Sequence, residues 1–143
     1  MIGMPVIING KGAGSVVKGV LTQDGRSLRG VIVRNGLWGS RWLPREKIHL
    51  IGQLSLLAEG KPEKVPKDAN YRLFRVADSN GMRLGVVTDA LIHEETMRVS
   101  ALEISAGPLD DLMDGRWFAT AYHVQPHGDM GHVTIAGWRK EVN

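Results

Sequence analysis

The sequence contains no cysteine, which excludes a disulfide framework, a thiolate metal site and a cysteine nucleophile. It also lacks any apolar run near the ~20 residues that a transmembrane helix requires. Residues 1–8 are apolar, but they are too few for a signal peptide and lack its basic start. These absences predict a cytoplasmic protein that has no membrane partner.

The patterns of common catalytic centres are missing too. No Gly-x-Ser-x-Gly nucleophile elbow is present. Two pairs of adjacent carboxylates are expected to point to opposite faces of a strand or into water, rather than to work as acid and base. These pairs are Glu94 with Glu95 and Asp110 with Asp111. We therefore expect neither enzymatic activity, nor catalytic residues, nor a cofactor.

Glycine, by contrast, is abundant. The chain has eighteen glycines, whereas its aromatic residues are four tryptophans, two tyrosines and two phenylalanines. Glycine at this density is typical of many tight turns and short strands. The core must then be built mainly from valine, isoleucine and leucine.

Charge is divided unevenly along the chain. Residues 1–58 carry eight basic and two acidic side chains, a net charge of +6, whereas residues 73–143 carry six basic and ten acidic ones, a net charge of −4. Opposite charge favours association of the two halves and would let the first half face a polyanion. Residues 59–72 contain two prolines, a glycine and alternating charges, which predicts a linker between units 1–58 and 73–143.

The two halves contain an internal repeat. Residues 14–33 and 85–104 align without a gap at an offset of 71, and Gly14 aligns with Gly85. The aliphatic positions of two strands and the length of the turn between them are kept as well. Agreement over some twenty positions indicates a duplication rather than a chance likeness of two β-rich segments.

Each copy predicts a β-hairpin that turns at residues 23–26 or 94–97. A unit of about 55 residues buries too little surface to be stable alone, so the units should share contacts or form a homodimer. We predict an all-β fold of two tandem small β-barrel units, because barrel closure removes exposed edges. Further strands are predicted at 41–43, 48–57, 116–124 and 132–138, and a short helical turn at 108–113.

Tryptophans supply the first candidate site. If four residues are inserted in the second copy, Trp42 aligns with Trp117. Both rings are expected to pack on their barrels, and the alternative is that they form a ligand platform shared by the two copies. Trp38 stands in a glycine-flanked loop without a counterpart in the second copy, which favours a contact surface. The candidate protein interface is Trp38, Leu37 and Arg41.

Basic residues of the first unit supply the second candidate. They are spread over strands and turns, so a solvated surface is the default interpretation and an RNA-binding face is the alternative. The candidate basic face is Lys18, Arg26, Arg29, Arg34 and Arg45.

Two further patterns have the composition of ligand-binding sites. Residues 9–15 are glycine-rich like a phosphate loop, but a strand-like sequence follows them instead of a helix, which predicts a turn. Three histidines and an aspartate near the C-terminus are acceptable zinc ligands at a spacing that matches no ordinary helical pair, so metal binding is only a weak alternative. They are His123, His127, Asp129 and His132.

The second copy resembles the opening hairpin of PRC-barrel domains over residues 75–92. Those domains begin with a glycine-containing turn, a Leu/Ile-Gly-x-Val step and an acidic residue before aliphatic ones. Residues 99–105, and residues 41–48 of the first copy, are similar to later elements of the family. The matching positions of the hairpin are Asp78, Gly81, Gly85, Val87 and Asp89.

The resemblance implies a small β-barrel with no known catalytic residues. The family includes the C-terminal domain of a ribosome-maturation factor and the cytoplasmic domain of the photosynthetic reaction-centre H subunit. Two functions follow as expectations: a protein-binding adaptor, or an RNA-processing or ribosome-associated factor that uses the basic first half. An accessory role in a photosynthetic reaction centre is weaker, because the membrane helix of the H subunit has no counterpart in the sequence.

Overall fold

The chain forms two six-stranded β-sheets in the computed structural model, which describes residues 1–107, 113 and 115–135. The first sheet contains β1 (Pro5–Ile8), β2 (Lys11–Leu21), β3 (Leu28–Asn35), β4 (Gly39–Pro44), β5 (Ile48–Ile51) and β6 (Leu56–Ala58). The second contains β7 (Arg72–Asp78), β8 (Arg83–Ile92), β9 (Val99–Ser105), β10 (Trp117–Ala119), β11 (His123–His127) and β12 (Met130–Ile135). A 3-10 turn at Arg45–Lys47 precedes β5. The predicted all-β class is confirmed.

Both sheets have the same topology. Their strand orders are β4-β3-β2-β1-β6-β5 and β10-β9-β8-β7-β12-β11. In each sheet one inner pair is parallel, β1 with β6 and β7 with β12, and the other neighbours are antiparallel. Val16 pairs with Val33 and Val87 pairs with Ile104, and both hairpins carry bulges at equivalent positions. The offset of 71 read from the sequence is therefore also the offset in backbone register.

The alignment of the tryptophans is wrong by one residue. Trp42 pairs with Ile32, and the equivalent of Ile32 is Glu103, which pairs with Phe118. Phe118, not Trp117, therefore stands in the place of Trp42, and the insertion before it has five residues rather than four. Backbone register decides the equivalence, whereas the shared Arg-Trp dipeptide is misleading.

Two predicted strands are each interrupted. Residues 48–57 form β5 and the start of β6, separated by a turn in which the Gly52 N–H donates to the Ser55 carbonyl at 2.9 Å. Residues 116–124 likewise contain β10 and the start of β11. Of the predicted helical turn at 108–113, only residue 113 is described, and residues 136–138 of the last predicted strand also lie outside the described residues.

Each sheet curls around a core of its own, because bulges bend its long strands. Every strand of the first sheet contributes a buried side chain to one cluster, as Val6, Val16, Val31, Leu43, Ile51 and Leu56 show. In the described residues no backbone pairing joins β4 to β5 or β10 to β11, so the predicted barrel closure is not made by main-chain hydrogen bonds there. No helix of the described chain has the length and hydrophobicity to cross a lipid bilayer.

The hairpin turn of each unit forms backbone hydrogen bonds with the hairpin turn of the other unit. The Leu28 N–H donates to the Met97 carbonyl and the Val99 N–H donates to the Arg26 carbonyl, both at 2.8 Å. These two bonds are related by the offset of 71, so the contact between the two turns has local two-fold symmetry. We call this contact, between residues 26–28 and 97–99, the crossing. Met97 is only 2% exposed and belongs to the core of the first sheet, although its turn joins β8 to β9. The units share contacts, as their small size predicts.

The turn between β2 and β3 is held in return by one tyrosine of the second unit and one at the end of the linker. The only two tyrosines of the chain donate their hydroxyls to it, Tyr71 to the Gln23 carbonyl at 2.8 Å and Tyr122 to the Gly25 carbonyl at 2.6 Å. Burial is the main cause that raises the pKa of both phenols; the charge of Arg26 opposes this shift at Tyr122, and the charge of Asp24 raises the pKa of both.

Alkaline pH should therefore loosen the crossing. Each phenol has a folded-state pKa above its unfolded value of about 10. Its contribution to the stability of the fold is therefore fully present below pH 10, and it is lost as the pH rises through the folded-state pKa. We expect the midpoint of urea unfolding to fall above about pH 10, more steeply in the native chain than in a Tyr71→Phe/Tyr122→Phe variant. At neutral pH each lost hydroxyl should cost about 1 kcal/mol. Equal pH slopes for the two proteins would contradict the assignment.

Candidate functional site

A surface groove of about 560 Å³ opens at one end of the first unit. Its floor is formed by core side chains of β1 and β3, and its walls by the β3–β4 turn and by the chain that follows β6. We call it the Trp38 groove, after the largest residue in its wall. Its main lining residues are Ile8, Val33, Trp38, Arg41, Lys61 and Pro62.

The β3–β4 turn presents two large apolar side chains to solvent. Asn35 shapes it, because its side-chain oxygen accepts the Leu37 N–H at 3.1 Å and its carbonyl accepts the Trp38 N–H at 3.1 Å. Gly39 then adopts a φ of +69°, which returns the chain into β4. Trp38 is 62% exposed and Leu37 is 88% exposed. Exposed apolar side chains beside a concave surface are typical of an interaction site.

The predicted interface residues are only partly brought together. Trp38 and Arg41 both line the groove, whereas Leu37 lies next to Trp38 on the same turn and does not line it. Lys61 adds a second cation to the wall. The groove thus combines an apolar floor with positive charge at its rim.

A smaller groove of about 380 Å³ occupies the equivalent place in the second unit. Arg83, Leu84 and Ala106 line it, and the offset of 71 relates them to Gly12, Ala13 and Asn35 of the Trp38 groove. The duplication therefore produced two related concavities, and the first is enlarged by the tryptophan turn and by the chain after β6.

The predicted basic face is not a continuous surface. Arg26 stacks over the Tyr122 ring at 4.1 Å and donates to the Tyr122 carbonyl, and Arg45 donates to the Thr96 carbonyl at 3.0 Å. Both arginines thus bind backbone of the opposite unit. Arg34, also predicted for this face, is exposed and forms no ion pair with any described residue.

The remaining two members lie on the outer face of the first sheet. Arg29 pairs with Asp68 at 2.9 Å, and its guanidinium lies 5.5 Å from the centre of the Trp42 ring. Burial, and next the charge of Arg72, lowers the pKa of Lys18, whereas Asp129 opposes this shift. Both cations therefore have partners within the molecule, and sequence alone does not reveal these partners.

The histidine cluster does not assemble. The rings of His127 and His132 stack with their centres 5.6 Å apart, in the β11–β12 hairpin. Within the part of the chain that the structure describes, no three histidine, aspartate or glutamate side chains are placed to share a metal ion. His123 and Asp129 are exposed.

The glycine-rich segment at residues 9–15 forms a turn and the start of a strand, as its strand-like continuation predicts. Asn9 and Gly10 both have positive φ and reverse the chain between β1 and β2. The Asn9 side-chain oxygen accepts the Gly60 N–H at 3.2 Å, which fixes the chain after β6 at the wall of the Trp38 groove.

Sequence reasoning missed the residues that join the units. Met97, Tyr71 and Tyr122 have no motif, and their partners lie far away in the chain. One available signal was rarity, because both tyrosines of the sequence are used in this contact.

No protein-family model matches this sequence, and no curated protein matches it. The PRC-barrel resemblance thus stays an interpretation of the glycine and aliphatic motifs.

Proposed function

We propose that this chain is a non-enzymatic, PRC-barrel-like adaptor of the cytoplasm that binds a protein partner through the Trp38 groove. The observation that carries the proposal is the exposed Trp38 side chain at the wall of a groove whose floor is apolar. Tryptophan and arginine are the residues most enriched at the energetic centres of protein interfaces.

The lining also indicates the chemistry of the partner. Ile8, Val33 and Pro62 offer apolar surface, while Arg41 and Lys61 offer positive charge. A segment that presents an apolar side chain next to a carboxylate would match both features.

Truncation of the tryptophan tests the proposal. Trp38→Ala should weaken partner binding about thirtyfold, the equivalent of about 2 kcal/mol at an interface centre. Because Trp38 is exposed, the unfolding midpoint should change little. The measurement is quantitative co-purification from cell extract, followed by titration with the partner that is identified. Leu54→Ala is the matched control, because Leu54 is an 85% exposed apolar residue that does not line the groove. Equal retention by both variants would refute the proposal.

Association with RNA or a ribosome is the second candidate. One observation favours it: Arg41 and Lys61 both line the Trp38 groove, and no acidic side chain among the described residues lines it. Phosphate contacts would make binding steeply dependent on salt. Retention of the partners after nuclease treatment and at about 0.3 M salt, twice the physiological ionic strength, would exclude this candidate and leave the protein-binding one.

A further inference from the structure

The edge strand β4 of the first sheet is covered by the chain itself. The Trp42 N–H donates to the Glu63 carbonyl at 2.7 Å, and the Glu63 N–H donates to the Trp42 carbonyl at 2.8 Å, in antiparallel fashion. Lys47 pairs with the Glu63 carboxylate at 3.0 Å. We call residues 61–65 the strap. It satisfies an edge that would otherwise present unpaired backbone groups.

The strap also covers an apolar face. Val65 packs against the cluster of Val20, Trp42 and Ala69. Beneath this cover Val20 is fully buried and Trp42 is only 4% exposed. The first unit therefore shows what kind of segment this edge accepts: an extended one, with an aliphatic residue two positions after the residue that pairs with the edge.

The second sheet repeats this edge without a described strap. Backbone register places Leu91 at the position of Val20 and Phe118 at the position of Trp42. Leu91 is 46% exposed and Phe118 is 51% exposed. We call these two residues the Leu91–Phe118 face. Within the described residues, the apolar surface that is buried in one copy is thus exposed in the other.

The outward backbone groups of Phe118 at this edge also have no partner within the described ranges. Phe118 lies opposite Glu103 in the same register in which Trp42 lies opposite Ile32. The backbone N–H and carbonyl of Phe118 therefore point away from β9, as those of Trp42 point away from β3. Among the residues that the structure describes, none forms a backbone hydrogen bond with these outward groups.

Charge next to the face differs between the copies. Glu103 lies directly opposite Phe118 on β9, and Asp89 lies opposite Glu103 one strand farther, on β8, where the first sheet has Ile32 and Lys18. Glu103 is paired with Arg116 at 2.8 Å, whereas the exposed Asp89 carboxylate accepts only the neighbouring Ala90 N–H at 2.8 Å among the described residues. A basic side chain would complement this carboxylate.

We propose that the Leu91–Phe118 face and the β10 edge bind an extended, basic peptide segment of a partner protein, added antiparallel to β10. Main-chain hydrogen bonds to Phe118 would supply affinity, an aliphatic side chain would cover the ring, and a lysine or arginine would approach Asp89. This site is separate from the Trp38 groove, and either can exist without the other.

The strap supplies the probe for the test. A capped peptide with the sequence of residues 59–66, but with lysine in place of both glutamates, is titrated into the isotope-labelled full chain. NMR shift changes should centre on the amides of Leu91 and Phe118 and leave Trp42 unchanged. The same peptide with aspartate at the position of Val65 is the control, and it should bind at least about tenfold more weakly.

Two variants locate the contact. Phe118→Ala should weaken peptide binding about tenfold, and Asp89→Asn should reduce the preference for the basic peptide over the native strap sequence. Both positions are exposed, so the fold should survive, and Asp89→Asn serves if Phe118→Ala does not fold. A Trp38→Ala variant should bind the peptide as the native chain does, which separates this site from the proposed adaptor groove.

Hydrogen exchange of the free chain decides between this occupant and others. The Phe118 amide should exchange rapidly without peptide and become protected with it. The proposal is overturned if no peptide shifts Phe118 at about 1 mM, the weak end of specific binding. Protection of the Phe118 amide without peptide would also overturn the proposal. Protection that depends on protein concentration would identify a second copy as the occupant, and protection that does not would identify residues 136–143 of the same chain.

Discussion

Replacement of Met97 by alanine should destabilise the whole protein by about 3 kcal/mol, within the range for a buried methionine. The Met97 side chain is 2% exposed and fills the core of the first sheet, although it belongs to the second repeat. Its backbone carbonyl also accepts the Leu28 N–H. Because the side chain crosses between the units, the loss should lower the stability of both sheets together.

Urea unfolding followed by amide exchange measures this effect. Exchange should accelerate equally at Val31, in the centre of the first sheet, and at Leu102, in the second. Met82→Ala is the control, since Met82 is 68% exposed on the β7–β8 turn and should change stability by less than about 0.5 kcal/mol. Faster exchange at only one of these two residues would show that the units unfold independently and that Met97 is not part of a shared core.

Alanine at Gly14 or Gly85 should destabilise the chain by about 3 kcal/mol or more, to a similar extent at both sites. These glycines are equivalent in the repeat, with φ of +108° and +153°. A Cβ atom at either would lie 2.2 Å from a backbone carbonyl oxygen, that of Arg34 or that of Ser105. Both the backbone conformation and the available space therefore require glycine.

Gly12→Ala separates this effect from the general cost of changing a glycine. Gly12 lies in the same strand, β2, and an added Cβ would meet no atom within 4 Å. We expect this variant to be neutral or up to about 1 kcal/mol more stable, because alanine restricts the unfolded chain. Thermal unfolding of the three variants compares them directly. Unequal losses at Gly14 and Gly85 would contradict their structural equivalence.

Local patterns in the sequence were sufficient for the two central hairpins and for the duplication, but they predicted no strand at β1. Alternating aliphatic residues predicted β2, β3, β8 and β9, and the two hairpin turns fall where the sequence places them. Such signals depend on neighbours within a few residues. They failed at β5 and β6, where a turn interrupts an aliphatic run.

The candidate site could be predicted only in part. The glycine-flanked position of Trp38 indicated an exposed turn, and the structure adds the groove beside it. The basic face could not be judged in the same way. Arg26 and Arg45 have the composition of a binding surface, but their partners are carbonyls about 50 to 100 residues away in the chain.

By itself the sequence determined that this is a β-rich chain with two related halves, because alternation and turn chemistry are local properties. Tertiary structure alone decided that Met97 completes the core of the other unit and that Phe118 stands where Trp42 does. It also decided that one edge is covered by its own chain while the equivalent edge has no described cover. These outcomes depend on register and on contacts between distant segments, which residue type and spacing do not encode.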